Sequence, residues 1–292
     1  VVTLKIPNLF RRFFAEGAFN QAFIPVYSDF HSLNNEKTTK DFLNALAGSF
    51  LSILFFITII VLLITPVFIL IFAPGFYFDD YKRDIAVNVL QIMFPYLALI
   101  SLVAFAGGIQ NTHERFSLPA ATPIIFNLCL IFAAVVIAPL YEMPIYVLAW
   151  GVLLAGIIQL FIQLFPLKAI DRLPVPKFDF SNTGSRKVFK LMIPAIFAGG
   201  IIQINLLVDT IFASLLQTGS PTWLYVSDRL IQLPMGIFAI AIGTVLLPTL
   251  SKINIENNLN EFAHQVKKGQ KFVIYIGIPS FIGLSLCAND IL

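Results

Sequence analysis

The residues of this chain best suited to bind a ligand are charged residues that lie within apolar stretches. They are Lys5, Arg11, Arg12 and Glu16 near the start, Asp209 in the second half, and the adjacent Asp228 and Arg229. A charge at the centre of a bilayer costs about 2.5–3.5 kcal/mol on insertion scales, so such a side chain usually faces water or a partner. Because arginine presents a planar fork of donors that matches phosphate oxygens, the cationic residues predict an anionic, phosphorylated ligand.

Each of these residues also has a purely structural interpretation. Arg11 or Arg12 could extend its charged end to the membrane surface, and Asp228 and Arg229 could form a structural ion pair. Arg11 and Arg12 are neighbours about 100° apart on a helix, so both are not expected to face one cavity. Asp209 could be an ion site, a proton site or a hydrogen-bonding group. The sequence leaves these alternatives open.

The composition is that of a membrane protein. The 292 residues are 58% hydrophobic and only 12% charged, with a mean hydropathy of +0.86, whereas soluble domains carry about 25% charged residues. The net charge of +3 is small and scattered, which indicates no nucleic-acid partner. No spacing typical of a metal site, cofactor site or catalytic group occurs, so we predict a non-enzyme without metal or cofactor. The histidines are His31, His113 and His264, and we expect all three to be solvated loop residues.

Long apolar runs predict an all-α, polytopic transmembrane bundle. In lipid every backbone donor and acceptor must be paired within the protein, which leaves helices or a closed barrel. The runs lack the period-2 alternation of strands, so they indicate helices. Predicted spans lie near 1–27, 42–73, 85–111, 118–139, 144–166, 188–216, 223–250 and 270–292. We therefore expect a first lobe over 1–167, a cytoplasmic linker over 168–187 and the start of a second lobe over 188–292.

The distribution of lysine and arginine predicts which loops face the cytoplasm. Thirteen of these residues follow the first, third, fifth and seventh spans, and only Lys82 and Arg83 lie in loops on the other side. Cytoplasmic loops are enriched in these residues, so the first set faces the cytoplasm. The thirteen are Lys37, Lys40, Arg115, Lys168, Arg172, Lys177, Arg186, Lys187, Lys190, Lys252, Lys267, Lys268 and Lys271.

A long signature near the start resembles a known family. The stretch IPNLFRRFFAEGAFNQAFIPV at 6–26 is similar to the signature of the MurJ/MviN lipid II flippase family, which belongs to the multidrug/oligosaccharidyl-lipid/polysaccharide exporter superfamily. Similar motifs continue along essentially the whole chain. They are APGF at 73–76, FPY at 94–96, RFSLPA at 115–120, SDRL at 227–230 and GTVLLP at 243–248.

The resemblance implies a fold, a substrate and site residues. It implies that the chain covers about the second to the ninth helix of a fourteen-helix protein in the bacterial inner membrane. Two pseudo-symmetric lobes would surround a central cationic cavity, with Arg11 and Arg229 in the cavity, Asp228 beside Arg229, and Glu16 in the signature. The implied activity is alternating-access translocation of lipid II, an undecaprenyl-pyrophosphate-linked precursor, in peptidoglycan biosynthesis. Coupling to Na⁺, H⁺ or membrane potential stays open, and a monomer is compatible with the sequence.

Three rival functions remain at this stage. One is a flippase or exporter in the same superfamily that carries another lipid-linked oligosaccharide or a cationic drug. A drug-cation exporter should have more carboxylates than arginines within its spans, which is not the pattern here. A membrane enzyme acting on polyprenyl phosphates would need a metal or acid/base group, and a purely structural scaffold gives no reason for arginine in the spans of both lobes.

Overall fold

The computed structural model describes residues 2–11, 17–32, 35–239 and 259–288 and the single positions 242, 246 and 250. This described part of the chain is helical and contains no strand. It divides into two compact units, Val1–Leu216 and Gln217–Leu292. The prediction of an all-α helical bundle is confirmed.

Among the described residues, ten α-helices form the first unit and two lie in the second. The first ten are α1 (Val2–Arg11), α2 (Ala18–Ser32), α3 (Glu36–Leu63), α4 (Thr65–Phe72), α5 (Pro74–Tyr77), α6 (Asp80–Met93), α7 (Tyr96–Thr112), α8 (Ser117–Phe132), α9 (Pro144–Ala169) and α10 (Thr183–Leu215). The other two among the described residues are α11 (Ser220–Pro234) and α12 (Leu259–Leu286). A π turn and a 3₁₀ turn extend α8 over Ala133–Ile137 and Ala138–Leu140, and a π turn extends α11 over Met235–Ala239.

Several of these helices are long and apolar enough to cross a bilayer. Among the described residues they are Glu36–Leu63, Asp80–Thr112, Ser117–Leu140, Pro144–Ala169 and Asn260–Leu286. Thr183–Gly199 and Ile204–Leu215 form a sixth candidate, with a bend of 53° between the two parts. The chain is therefore a multi-pass membrane protein. The predicted spans near 1–27 and 223–250 both include positions outside the described part and stay predictions.

The predicted span 42–73 is divided between α3 and α4 at Ile64. The next helix begins at Thr65-Pro66, and proline has no backbone N–H to continue the helical ladder. The Thr65 hydroxyl donates instead to the carbonyl oxygens of Val61 at 2.8 Å and Leu62 at 3.1 Å. The Leu62 carbonyl group, which the proline leaves without its ladder partner, is thus satisfied within the protein, as an apolar environment requires.

An aromatic cluster forms the core at the centre of the first unit. Phe19, Phe23 and Tyr27 recur every four residues on α2, so they share one face of this helix, and all three are buried. Phe19 stacks on Phe50 of α3 with ring centroids 4.6 Å apart, and Phe23 meets the edge of Phe105 of α7 at 5.2 Å. Such pairs add about 0.5–1.5 kcal/mol each beyond the burial of their area. They fix α2 between α3 and α7.

Buried glutamines join α7, α8 and α9. The Gln110 amide donates to Gln163 Oε1, and Gln163 Nε2 donates to Thr122 Oγ1 at 3.0 Å. Gln159 Nε2 donates to the Thr122 carbonyl oxygen at 2.8 Å. Interhelical hydrogen bonds of this kind hold helices together in membranes, where lipid offers no hydrophobic driving force between them.

Candidate functional site

Helix α1 places two of the predicted cations in the first unit. Ile6 is fully buried, and the Phe10 ring lies 5.6 Å from that of Phe94 on the segment between α6 and α7. These contacts fix the rotation of α1. Arg11 lies on α1 and is half-buried.

Lys5 connects α1 to α10. Its Nζ donates a hydrogen bond to Thr210 Oγ1 at 3.1 Å, and Thr210 is buried. The Thr210 hydroxyl donates in turn to the Leu206 carbonyl oxygen at 2.6 Å. The preceding residue, Asp209, is exposed, as is Asn205 one turn earlier on the same face of α10. The predicted carboxylate thus lies next to a lysine-bound threonine on a helix face that also carries an amide.

The second unit carries the other predicted pair. Asp228 and Arg229 lie on α11, where Asp228 is half-buried and Arg229 is exposed. The guanidinium carbon of Arg229 lies over the Tyr225 ring, 5.1 Å from its centroid. The two residues are four apart, the spacing at which side chains on a helix meet. A cation over an aromatic face is attracted by the electron-rich ring.

The structure does not test two of the predicted site residues or the predicted shared chamber. Arg12 and Glu16 fall outside the described residues. Arg11 belongs to the first unit and Arg229 to the second, so a chamber shared by the two arginines stays a prediction.

Two histidines correct the sequence interpretation. We expected His31 and His113 to be solvated, but both are half-buried and packed together, with ring centroids 4.7 Å apart. Tyr27 Oη and His113 Nε2 are hydrogen-bonded at 2.9 Å. Tyr27 and His31 are four residues apart on α2, so one helix face presents both to His113 at the end of α7. His264 is exposed, as expected.

Cations surround this histidine pair. Arg172 lies beside Tyr27 and His113, and its Nη2 is 3.4 Å from Glu36 Oε1. Burial, then the charges of His31, Arg172 and Arg115, hold the pKa of His113 below its usual value. His113 therefore stays neutral at physiological pH. It can accept a hydrogen bond from the Tyr27 hydroxyl or donate one to it.

Thr210 and Tyr225 are site residues that sequence reasoning missed. Threonine within a span gives no signal by itself, because it commonly bonds its own helix. Tyr225 did give one, since an aromatic residue four positions before an arginine on one helix predicts contact.

A multi-pass α-helical membrane protein with cationic side chains on its helices is the class that these features define. Comparison with known sequences gives the family. The family model described as "Lipid II flippase MurJ" matches residues 1–292, and the chain belongs to this family.

Individual relatives agree with this assignment. A probable lipid II flippase MurJ of Vibrio cholerae is 39% identical over 99% of this chain and 56% of the relative. That of Buchnera aphidicola subsp. Acyrthosiphon pisum is 39% identical over 100% of this chain and 57% of its own length. The lipid II flippase MurJ of Burkholderia cenocepacia is 34% identical over 99% of this chain and 57% of its own length. The chain thus spans about half the length of the curated relatives that it matches.

Proposed function

We propose that this chain is part of a flippase that carries lipid II from the cytoplasmic to the periplasmic leaflet of the bacterial inner membrane. Relatives that match nearly the whole chain bear this name. The structural observation that supports the proposal best is the exposed guanidinium of Arg229 over the Tyr225 ring.

The chemistry of that arrangement suits a pyrophosphate. The aromatic ring attracts the cation through its face, so it competes little for the N–H donors at the edge of the guanidinium. Among the described residues, no carboxylate forms a salt bridge with Arg229. Its donors can therefore form charge-assisted, bidentate hydrogen bonds with phosphate oxygens.

The proposed mechanism is alternating access without covalent chemistry. The lipid II pyrophosphate binds Arg11 and Arg229, while the isoprenoid tail stays in lipid. Arg12 and Glu16 belong to the same signature and are proposed to lie near the head group, as is Asp228 beside Arg229. Movement of the two lobes then exposes the head group to the periplasm, and no bond forms or breaks, so the protein is a transporter.

Asp209 is the proposed ion or proton site. It is exposed on α10 with Asn205 one turn away, and carboxylate and amide oxygens are ligands of hard cations. Replacing Asp209 with Asn removes the charge at nearly constant volume. If the site couples transport, D209N flips lipid II at a rate that no longer responds to a Na⁺ or H⁺ gradient. A gradient response equal to that of the parent protein would assign the coupling to another group, and the absence of a response in both proteins would leave membrane potential as the energy source.

Reconstitution of the full-length protein tests the proposed activity. Fluorescent lipid II is placed in both leaflets of proteoliposomes, and a membrane-impermeant quencher reports the head groups that become accessible. Arg229→Ala should reduce flipping at least tenfold, whereas the control Arg115→Ala, at an exposed loop cation, should retain it. Wild-type flipping by R229A at equal protein content would contradict the proposed role.

Substrate identity is tested in the same assay. Undecaprenyl-pyrophosphate carrying a different oligosaccharide replaces lipid II at equal concentration. Preference for lipid II supports the proposal, and equal or faster transport of the other lipid would assign the chain to a flippase of broader or different specificity.

A further inference from the structure

The segment between α9 and α10, residues 170–182, forms an extended strap. Residues 172–179 have no helical structure. Pro174 and Pro176 lack backbone N–H groups, and each forces the residue before it out of the helical region. The sequence Leu-Pro-Val-Pro at 173–176 therefore keeps this connection extended, although it joins two long helices.

The backbone of the strap is bonded to α3. Lys177 N donates to the Asn44 carbonyl oxygen at 2.9 Å, and Val175 N donates to Asn44 Oδ1 at 2.7 Å. Ser49 Oγ donates to the Asp179 carbonyl oxygen at 3.0 Å. These bonds direct the polar groups of the strap toward the helix.

Gly48 allows the strap to lie directly on α3. A β-carbon at this position would stand 2.0 Å from the Lys177 carbonyl oxygen, closer than any side chain permits. The strap is thus a fixed part of the surface and not a free loop.

Large apolar side chains of the strap are exposed. The exposed fractions are 65% for Val175, 73% for Phe178 and 52% for Phe180. The Phe180 position is fixed further because Arg186 Nε donates to its carbonyl oxygen at 2.9 Å. A backbone held this firmly cannot turn these side chains inward. In water their apolar surface would be unfavourable.

The strap lies where the lipid-facing surface of α3 begins. Phe55 is exposed and shares a helix face with Asn44 and Gly48, the residues beneath the strap. It follows Gly48 by seven residues, or about 10 Å along the helix axis. The apolar side chains of the strap therefore continue the lipid-facing surface toward the cytoplasm.

Positive charge surrounds these apolar side chains. Residues 167–190 contain six lysines and arginines but only two carboxylates, Asp171 and Asp179. Lys40 pairs with Asp171, and Asp179 accepts a hydrogen bond from Ser181 N. Three of the six cations are paired with carboxylates of α2 and α3: Arg172 with Glu36, Lys177 with Asp41 and Lys187 with Asp29. Lys168 and Lys190 are exposed. Cations of this kind are attracted to the anionic surface of the cytoplasmic leaflet.

We propose that the strap is an interfacial anchor for an anionic lipid surface. Val175, Phe178 and Phe180 enter the boundary between head groups and acyl chains. The exposed Lys168 and Lys190 contact lipid phosphates. The combination of apolar side chains with flanking cations is the one that binds such a boundary. The anchor requires only the membrane and not transport, so it can fail without affecting the proposed function.

Depth measurement on the full-length protein tests the anchor. A spin label is attached at F178C in a cysteine-free background, and the protein is placed in nanodiscs with and without phosphatidylglycerol. A label at D171C, in the same strap, serves as the control. In the anionic discs, oxygen should reach the label at 178 more readily than a water-soluble nickel complex does. The label at 171 should show the reverse, with greater access for the nickel complex. A label at 178 reached by the nickel complex would overturn the proposal, and one shielded from both reagents would assign a protein occupant instead.

A charge variant tests the role of the cations separately. Lys168→Gln with Lys190→Gln changes two exposed residues and leaves the bonds between the strap and α3 intact. The difference in label depth between anionic and neutral discs should fall at least twofold. If the double variant retains the full dependence on phosphatidylglycerol, anionic lipid recognition is wrong.

Discussion

Lys5 Nζ and Thr210 Oγ1 are 3.1 Å apart, a hydrogen bond between side chains separated by 205 positions in the sequence. It joins the first helix of the chain to α10 next to Asp209. A hydrogen bond to a charged group contributes about 1.5–3 kcal/mol when its partner is otherwise buried.

The first prediction concerns this bond. Thr210→Val keeps the shape of the side chain and removes the acceptor, so we expect a free energy of unfolding lower by about 1.5–3 kcal/mol. Thermal unfolding of the purified protein in detergent measures the loss. Thr222→Val, at an exposed position of α11, is the matched control and should change little. Equal stability of the two variants would show that the Lys5 contact contributes nothing.

The second prediction concerns the close approach at Gly48. Gly48→Ala must displace the backbone of the strap, because the added carbon would meet the Lys177 carbonyl oxygen. Overpacking of this kind costs about 1–3 kcal/mol. Gly277→Ala adds the same carbon to α12, where nothing lies within 4 Å, and should be neutral or slightly stabilising. Thermal unfolding compares the two, and a stable G48A protein would mean that the strap is not fixed to α3.

The third prediction concerns pH. Because burial and the neighbouring cations lower the pKa of His113, the folded protein binds its proton more weakly than the unfolded chain does. The stabilising contribution is therefore complete well above the ordinary imidazole pKa of 6.5 and is lost as the pH falls below it. Protonation would add a cation near Arg172 and Arg115, beside His31.

Unfolding temperatures between pH 5.5 and 8 measure this dependence. His113→Gln keeps a polar side chain near Tyr27 but cannot titrate, so its stability should vary less over that range. The control His264→Gln changes an exposed histidine and should retain the pH dependence of the parent protein. A dependence that survives in H113Q would assign the titration to another group.

The fourth prediction separates the ring of Tyr225 from its hydroxyl group. Tyr225→Phe keeps the aromatic face under Arg229 and should retain lipid II flipping in proteoliposomes. Tyr225→Leu removes the face, and the loss of about 0.5–1 kcal/mol of cation–π attraction should lower flipping about two- to fivefold. Equal rates for the two variants would indicate that the ring does not position Arg229.

The sequence by itself determined the class, the family and most of the spans of this protein. Lipid requires long apolar segments whose backbone groups are paired locally, so the helices that contain 42–63, 85–111, 118–139 and 144–166 can be recognised without knowing what surrounds them. The signature at 6–26 likewise carries its information in one continuous stretch, and the family match confirms that resemblance.

Only the tertiary structure decided which side chains meet. The bond from Lys5 to Thr210, the packing of His31 on His113, and the strap lying on Gly48 each depend on the rotation and depth of two distant segments. Hydropathy has no information about either quantity, because a helix rotated about its axis has the same composition. For that reason His31 and His113 were wrongly assigned to solvent.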